Sequence, residues 1–308
     1  MFQHRKWSSI NRKHYLHQIY KYNILNRANN TIISGNTFIN NKGTNGGAIN
    51  NYNTNNATII NNVFTNNTAK YGGAIYYRGT TLILDNNTMT GNTALVSGGA
   101  VFVIGQNNNI TNNDFTANKA RSGAAINNLG TNTYIRGNTI KYNTANTTGA
   151  AVNNWNARNA TIINNTIHHN QAQYGAIYIR GANNTVQSNN IYSNKATISG
   201  GAIFNIGVNS TIYGNTLRSN NANNYGGAIN NWNARNTRIT GNNLTYNNAT
   251  YGGAINTRAT DTIIIENIIT RNSAVKGGAI LDTGYTSTLM NHNNIKNNPT
   301  QNGLEVAH

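Results

Sequence analysis

The 308 residues include 69 asparagines, 30 glycines, one proline and no cysteine, and only 9% of positions are charged, where about a quarter is usual in a globular domain. A net charge of +17 arises from 23 Lys and Arg against six carboxylates, so the excess reflects missing acids more than abundant bases. This composition excludes a disulfide scaffold, thiolate metal ligation and a cysteine nucleophile, and it leaves little for chemistry that needs clustered acids.

Residues 1–29 carry Arg5, Lys6, Arg12, Lys13, Lys21 and Arg27 without one acid. Met1 to Tyr22 lacks the apolar run of about 7 to 15 residues that a secretory signal needs, and no run of about 18 apolar residues suggests a transmembrane helix. The segment is expected to cap the N-terminal end of the fold. It does so as a short helix on Leu16, Ile19, Tyr20 and Ile24, or as a partial coil, which the echo of Gln18 to Asn23 in Asn138 to Asn143 favours. The diffuse positive charge suits anionic wall polymers, and no motif accompanies it that would specify nucleic acid.

Residues 30–298 are a repeat. A Gly-Gly-Ala-Ile tetrad or a near variant recurs with its alanines at Ala48, Ala74, Ala100, Ala125, Ala151, Ala176, Ala202, Ala228, Ala254 and Ala279, 25 or 26 residues apart. Interleaved with it, Asn-x-Φ-x-x-Asn (Φ apolar) begins at Asn36, Asn62, Asn87, Asn113, Asn138, Asn165, Asn189, Asn215, Asn242, Asn267 and Asn293, and its second asparagine comes five residues later each time. Each unit reads as three short extended runs: Gly-Ala-Ile with its successors, a Thr-Ile-x stretch such as Thr161 to Ile163, and the Asn-x-Φ run. They are bounded by Asn and Gly, which is strand and turn chemistry.

A unit of this length cannot bury both strand edges alone, so copies must stack, each strand pairing in parallel with its counterpart one turn later. The predicted fold is all-β: a right-handed, single-stranded parallel β-helix, or solenoid, of about eleven coils of 25–26 residues with three strands each. At about 4.8 Å per coil the rod is about 50 Å long. Ile or Val after each tetrad Ala, and the Φ residues, supply the interior. The first asparagine of each pair is expected to turn inward as a structural ladder. Leucine at Asn165 or Asn189 is then expected to destabilise the rod far more than leucine at Asn159. The stretches between the second asparagine and the next tetrad vary in length and read as variable surface turns.

These motifs, as in Gly72-Gly73-Ala74-Ile75 and Phe64-Thr65-Asn66-Asn67, resemble the repeat of chlamydial polymorphic outer-membrane proteins. The asparagine-rich version, exemplified by residues 160–167, is similar to adhesin-like surface proteins of methanogens. The resemblance implies a pectin-lyase-like β-helix displayed at the cell surface or outside the cell and used for adhesion, contacting polysaccharide or another cell surface.

Polysaccharide lyases and glycoside hydrolases share this architecture, and their acids sit on adjacent coils of one face. Here Asp85 and Asp114 fall in different columns, and Asp261, Glu266 and Asp282 assemble no triad, so a noncatalytic role without cofactor or metal is expected, with a carbohydrate-active enzyme as the alternative. His168 and His169 are expected on opposite faces of a strand. A binding face is the stronger prospect. The column three residues after each tetrad Ile or Val reads Tyr52, Arg78, Ile104, Leu129, Trp155, Arg180, Ile206, Trp232, Arg258 and Thr283, and alternation points it outward. Its Tyr52, Arg78, Trp155, Arg180, Trp232 and Arg258 are the candidate ligand-binding residues, with polysaccharide, cell-surface glycan or anionic wall polymer as partner. A threonine column from Thr31 to Thr288 raises ice binding as a minor alternative. Asn-x-Ser/Thr sequons such as Asn56, Asn66 and Asn248 would accept glycans only in an exported protein. Pro299 breaks the pattern, and the tail, residues 299–308, is too short to seal the rod, so either a continuation of the chain or end-to-end self-association is expected.

Overall fold

The computed structural model describes residues 10–11, 24–284 and 288–301. Among them every strand pairing between coils is parallel, and the strands collect into sheets of 19, 11 and 9 strands, here A, B and C. The architecture is the expected right-handed parallel β-helix. One turn illustrates the order: Val152–Arg158 and Thr161–Ile163 are the two arms of sheet A, Thr166–His168 lies in B and Gln171–Tyr174 in C.

There are three sheets, but they divide the repeat differently from the three runs read in the sequence. The first two runs are the arms of one bent sheet, merged into single strands at Ile49–Ile60 and Ile229–Thr240. The stretches expected as variable turns are the strands of sheet C, for example Thr68–Tyr71 and Lys119–Ser122. Their inward residue is a small one, the column Ala69, Ala94, Ala120, Ala145, Ala172, Ala196, Ala222, Ala249 and Ala274, all of it at 6% exposure or less. Variation in length is absorbed there by bulges, as between Thr93 and Ser97.

Stacked like residues fill the interior. Ile49, Ile75, Val101, Ile126, Val152, Ile177, Ile203, Ile229 and Ile255 line one side of a continuous core, faced by Φ residues such as Phe64, Met89, Phe115 and Ile140. Phe38 stacks on Phe64 with ring centroids 4.9 Å apart.

Both sets of paired asparagines form unbroken ladders. The first runs from Asn36 to Asn293 and the second from Asn41 to Asn298. At each rung the backbone N–H and Nδ2 donate to Oδ1 of the asparagine one coil on: Asn165 N and Nδ2 reach Asn189 Oδ1 at 2.9 Å, and Asn165 Oδ1 accepts from Asn138 N at 2.9 Å and Nδ2 at 3.0 Å. Nδ2 also donates to the carbonyls of Ile135 and Ile163. Every capacity of the amide is thus used, as burial demands.

Asparagine is abundant for a second reason. The residue before each ladder position has positive φ, and Asn or Gly holds many of these sites, among them Asn61, Asn66, Asn86, Asn112, Asn164, Gly137 and Gly241. Asn tolerates this left-handed conformation better than other non-glycine residues. A further positive-φ column, including Asn107, Asn132, Asn159, Asn183 and Asn209, lies exposed along the corner between the arms of sheet A. Asn159, the comparison residue for the ladder, sits here with φ 52° and donates to Asn132 Oδ1, so it is not a neutral site.

A third asparagine seam went unforeseen. Alternation turns the residue two after the tetrad Ile or Val inward, and there Tyr77, Val103 and Ile179 share a column with Asn51, Asn128, Asn154, Asn205 and Asn231, all fully buried. Asn205 bonds Asn231, Thr237, Ser210 and the Gly207 amide.

At the N-terminal end Ile10–Asn11 pairs in parallel with Ile33 and Ser34. The Gln18 to Asn23 echo and the tail from residue 302 lie outside the described residues. Pro299 does not end the pattern, because Thr300 still bridges to Ala274 in the line of sheet C.

Candidate binding groove

The residue three after each tetrad Ile or Val does face outward, in register from coil to coil: Tyr52 pairs with Arg78, Trp155 with Arg180 and Trp232 with Arg258. In each pair the guanidinium lies over the ring of the preceding coil, at 5.1 Å for Tyr52, 4.2 Å for Trp155 and 4.8 Å for Trp232. Arg78 also donates to the Tyr52 hydroxyl at 3.0 Å. All six candidate residues are therefore brought together, as three aromatic–arginine pairs along one line.

The three aromatics share a feature that reading columns alone missed. Directly after each, the ladder slips by one residue: between Tyr52 and Thr54, between Trp155 and Ala157, and between Trp232 and Arg235. Asn53, Asn156 and Asn233 occupy the slip with positive φ. A bulge of this kind bends the strand and re-aims its neighbours. The sequence signal was the extra residue in these coils, 14 from tetrad Ala to ladder Asn (Ala151 to Asn165) where 13 is usual (Ala176 to Asn189).

Beside this line runs a groove of about 840 Å³. Its far wall comes from the ends of sheet C strands, with Tyr71, Tyr174, Ile198 and Tyr225, and its near wall from Leu129, Trp155, Ile206 and Trp232. The floor is the column one after the tetrad Ile or Val, including Phe102, Asn127, Asn153, Tyr178, Phe204 and Asn230. These side chains point away from the core yet are at most 7% exposed, because the walls rise on both sides. Asn153 donates to Asn127 at 2.6 Å and Asn256 to Asn230 at 2.7 Å, while Oδ1 of Asn153 and of Asn256 finds no partner. The next coil places Tyr178 and Leu281 there instead of another amide. Burial pushes the Tyr178 hydroxyl above its usual pKa, an effect that Arg180 partly opposes, so the floor stays uncharged at neutral pH.

The rings stack along the rod. Tyr76 and Phe102 are 6° from parallel, Tyr178 and Phe204 4°. The π faces of Trp155 and Trp232 are likewise engaged, one side of each covered by arginine. The groove thus offers ring edges, amides and the Arg121 guanidinium, with Arg180 and Arg258 lying over its two wall tryptophans.

The carboxylates act elsewhere. Asp85 accepts from Thr111 Oγ1 at 2.6 Å and Asn112 Nδ2 at 2.9 Å, Asp114 pairs with Lys141 at 3.2 Å, and Asp282 accepts from the Gly284 amide at 2.8 Å. Asp261, inside the strand Ile255–Ile265, and Glu266, just after it, occupy positive-φ positions. His168 and His169 do not diverge as expected. A φ of 55° at His169 turns the chain so that the two Nδ1 atoms lie 2.8 Å apart. Burial, His169 and Lys141 together press the His168 pKa below its ordinary value.

The threonine column also divides. Thr58, Thr161, Thr185 and Thr211 face outward in register with Ile83, Asn109, Tyr134 and Arg238. Thr31, Thr133, Thr237 and Thr262 stand one position earlier and are buried. No flat threonine face results. Among the described residues, no helix is long and apolar enough to cross a membrane.

A family model described as a right-handed beta helix region matches residues 149–308, just over half the chain. No curated protein matches it.

Proposed function

Because the chain belongs to the right-handed β-helix family, we propose that it is a noncatalytic, adhesin-like rod at the cell surface or outside the cell, whose groove holds a stretch of polysaccharide. The observation that carries this reading is the shape of the groove. It runs past seven successive strand ends of sheet C, from Tyr71 to Tyr225, or about 30 Å at the strand spacing. That length suits a linear polymer better than a compact metabolite. Bulged coils put Tyr52 beyond one end and Trp155 and Trp232 on its wall, the two tryptophans about 14 Å apart.

Arginines crown the three aromatics, Arg121 lines the far side, and no carboxylate or histidine lines the groove. A chain bearing anionic groups fits this lining, and binding is favoured over hydrolysis, which needs a pair of carboxylates flanking the scissile bond. Attraction of this kind weakens as salt rises.

The test is a glycan array probed with the protein and with Trp155→Ala/Trp232→Ala, run beside a release assay on acidic polysaccharides. Saturable binding that the double variant loses is expected. Release of oligosaccharide product would overturn the proposal in favour of an enzyme.

A further inference from the structure

Sheet B, on a side of the rod that contributes no residue to the groove, carries the chain's only His-His pair within the described residues. His168 ends the strand Thr166–His168 and His169 occupies the turn. Neighbours in an extended strand point to opposite sides. The left-handed turn at His169 cancels that alternation and sets both imidazoles on the outer surface, 85° between ring planes and Nδ1 to Nδ1 2.8 Å.

We propose that His168 and His169 chelate a copper(II) ion through their Nδ1 atoms. Metal–imidazole bonds are about 2.0 Å long, so two nitrogens at right angles around one ion stand about 2.8 Å apart, whereas a tetrahedral angle needs about 3.3 Å. The observed separation fits the right angle, which is the tetragonal preference of Cu(II), and Cu(II) also heads the affinity order for nitrogen sites. Binding takes the place of the Nδ1···Nδ1 hydrogen bond: the ring that carries its proton on Nδ1 moves it to Nε2, and each ring turns so that its Nδ1 lone pair points at the ion instead of at its neighbour.

The surroundings permit this. Tyr142 and Tyr192 flank the pair, Tyr192 stacked on His168 at 4.7 Å, while His169 stays exposed to solvent. The nearest cation, Lys141, is engaged by Asp114. No group of three or more His, Cys, Asp or Glu gathers among the described residues, so the protein supplies two ligands and leaves the other positions to water or an external donor.

The stacked columns supply substitutions that keep the turn. Threonine stands at the place of His168 in other coils, at Thr90 and Thr116, and asparagine at the place of His169, at Asn40 and Asn66. Equilibrium dialysis of the full chain against Cu(II), with electron paramagnetic resonance, compares wild type with His168→Thr, His169→Asn and the isolated His292→Asn. We expect one site with a two-imidazole nitrogen signature, weakened at least tenfold in each of the first two variants and unchanged in the third. Zn(II) should bind the same site more weakly. Copper binding and spectra indistinguishable between wild type and His168→Thr/His169→Asn overturn the assignment, and unchanged β-sheet circular dichroism shows that lost binding is not lost folding.

Discussion

Replacing Asn165 by leucine tests the ladder at a fully described rung. The substitution removes an oxygen that accepts from Asn138 N and Nδ2, and an NH2 that donates to Asn189 Oδ1, Ile135 O and Ile163 O. Some of these partners keep another bond: Asn138 Nδ2 still reaches Ile110 O, and Asn189 Oδ1 still accepts from Asn165 N. The Asn138 backbone N–H is left with nothing, in a residue 1% exposed. One stranded buried donor costs about 1–3 kcal/mol, and the other lost bonds raise the expected total to about 2–4 kcal/mol. Asn146 is the better control, being exposed in a sheet C strand without positive φ; leucine there should change stability by less than about 0.5 kcal/mol. Urea unfolding followed by circular dichroism gives the comparison, and hydrogen exchange at the Asn138 amide reports the damage directly, because neighbouring coils can open locally in a repeat rod. Equal midpoints for the two variants, with Asn138 still protected, would refute the ladder as a source of stability.

Alkaline pH offers another readout. Burial pushes the Tyr77 hydroxyl up to about 12 while it donates to Thr80 O at 2.8 Å. The folded state therefore holds this proton more tightly than the unfolded chain, so the contribution is intact below pH about 10 and is lost as pH rises from there to 12; Tyr77→Phe should flatten that part of a pH–stability curve. Glycine substitutions should separate space from strain. A Cβ on Gly73 would collide with the Gly99 carbonyl and the Thr93 backbone, so Gly73→Ala should cost about 3 kcal/mol or more. At Gly214, with φ 61°, a Cβ meets only Ser188 Oγ at 3.8 Å, and Gly214→Ala should cost about 1 kcal/mol, both read from thermal melts. Arg180 and Arg258 cap the two wall tryptophans of the groove, and Arg180→Gln/Arg258→Gln should weaken binding of an acidic polysaccharide and reduce its salt dependence in titrations, while neutral glycans are affected less.

The parts of the fold legible in the sequence are those where one residue type is irreplaceable. Only Asn can both accept two donors and pass two on at a buried rung, so its spacing survived in all eleven repeats and located sheet B and the second arm of sheet A. Sheet C was illegible because Thr68–Tyr71 and Lys119–Ser122 need only one inward alanine and otherwise face water. Inward asparagines such as Asn128 and Asn205 were hidden because they share their column with Tyr77, Val103 and Ile179, so no one residue type marks it. The outward column of Tyr52, Trp155 and Trp232 could be read from alternation alone, but the bulges beneath them and the wall opposite depend on how coils of unequal length settle together. For the same reason the meeting of His168 with His169 could not be read from adjacency, since it hinges on a single backbone angle.

The two ladder asparagines of each coil are always five residues apart, from Asn36 and Asn41 to Asn293 and Asn298. Both ladders would lose registration at once if that interval changed, so insertions and deletions are barred from one side of the rod. They are free to accumulate on the other, in the bulged arm of sheet A and in sheet C, which are the two banks of the groove. Lineages descended from such a chain could reshape what the groove accepts, one residue at a time, without disturbing the spine on which every coil hangs.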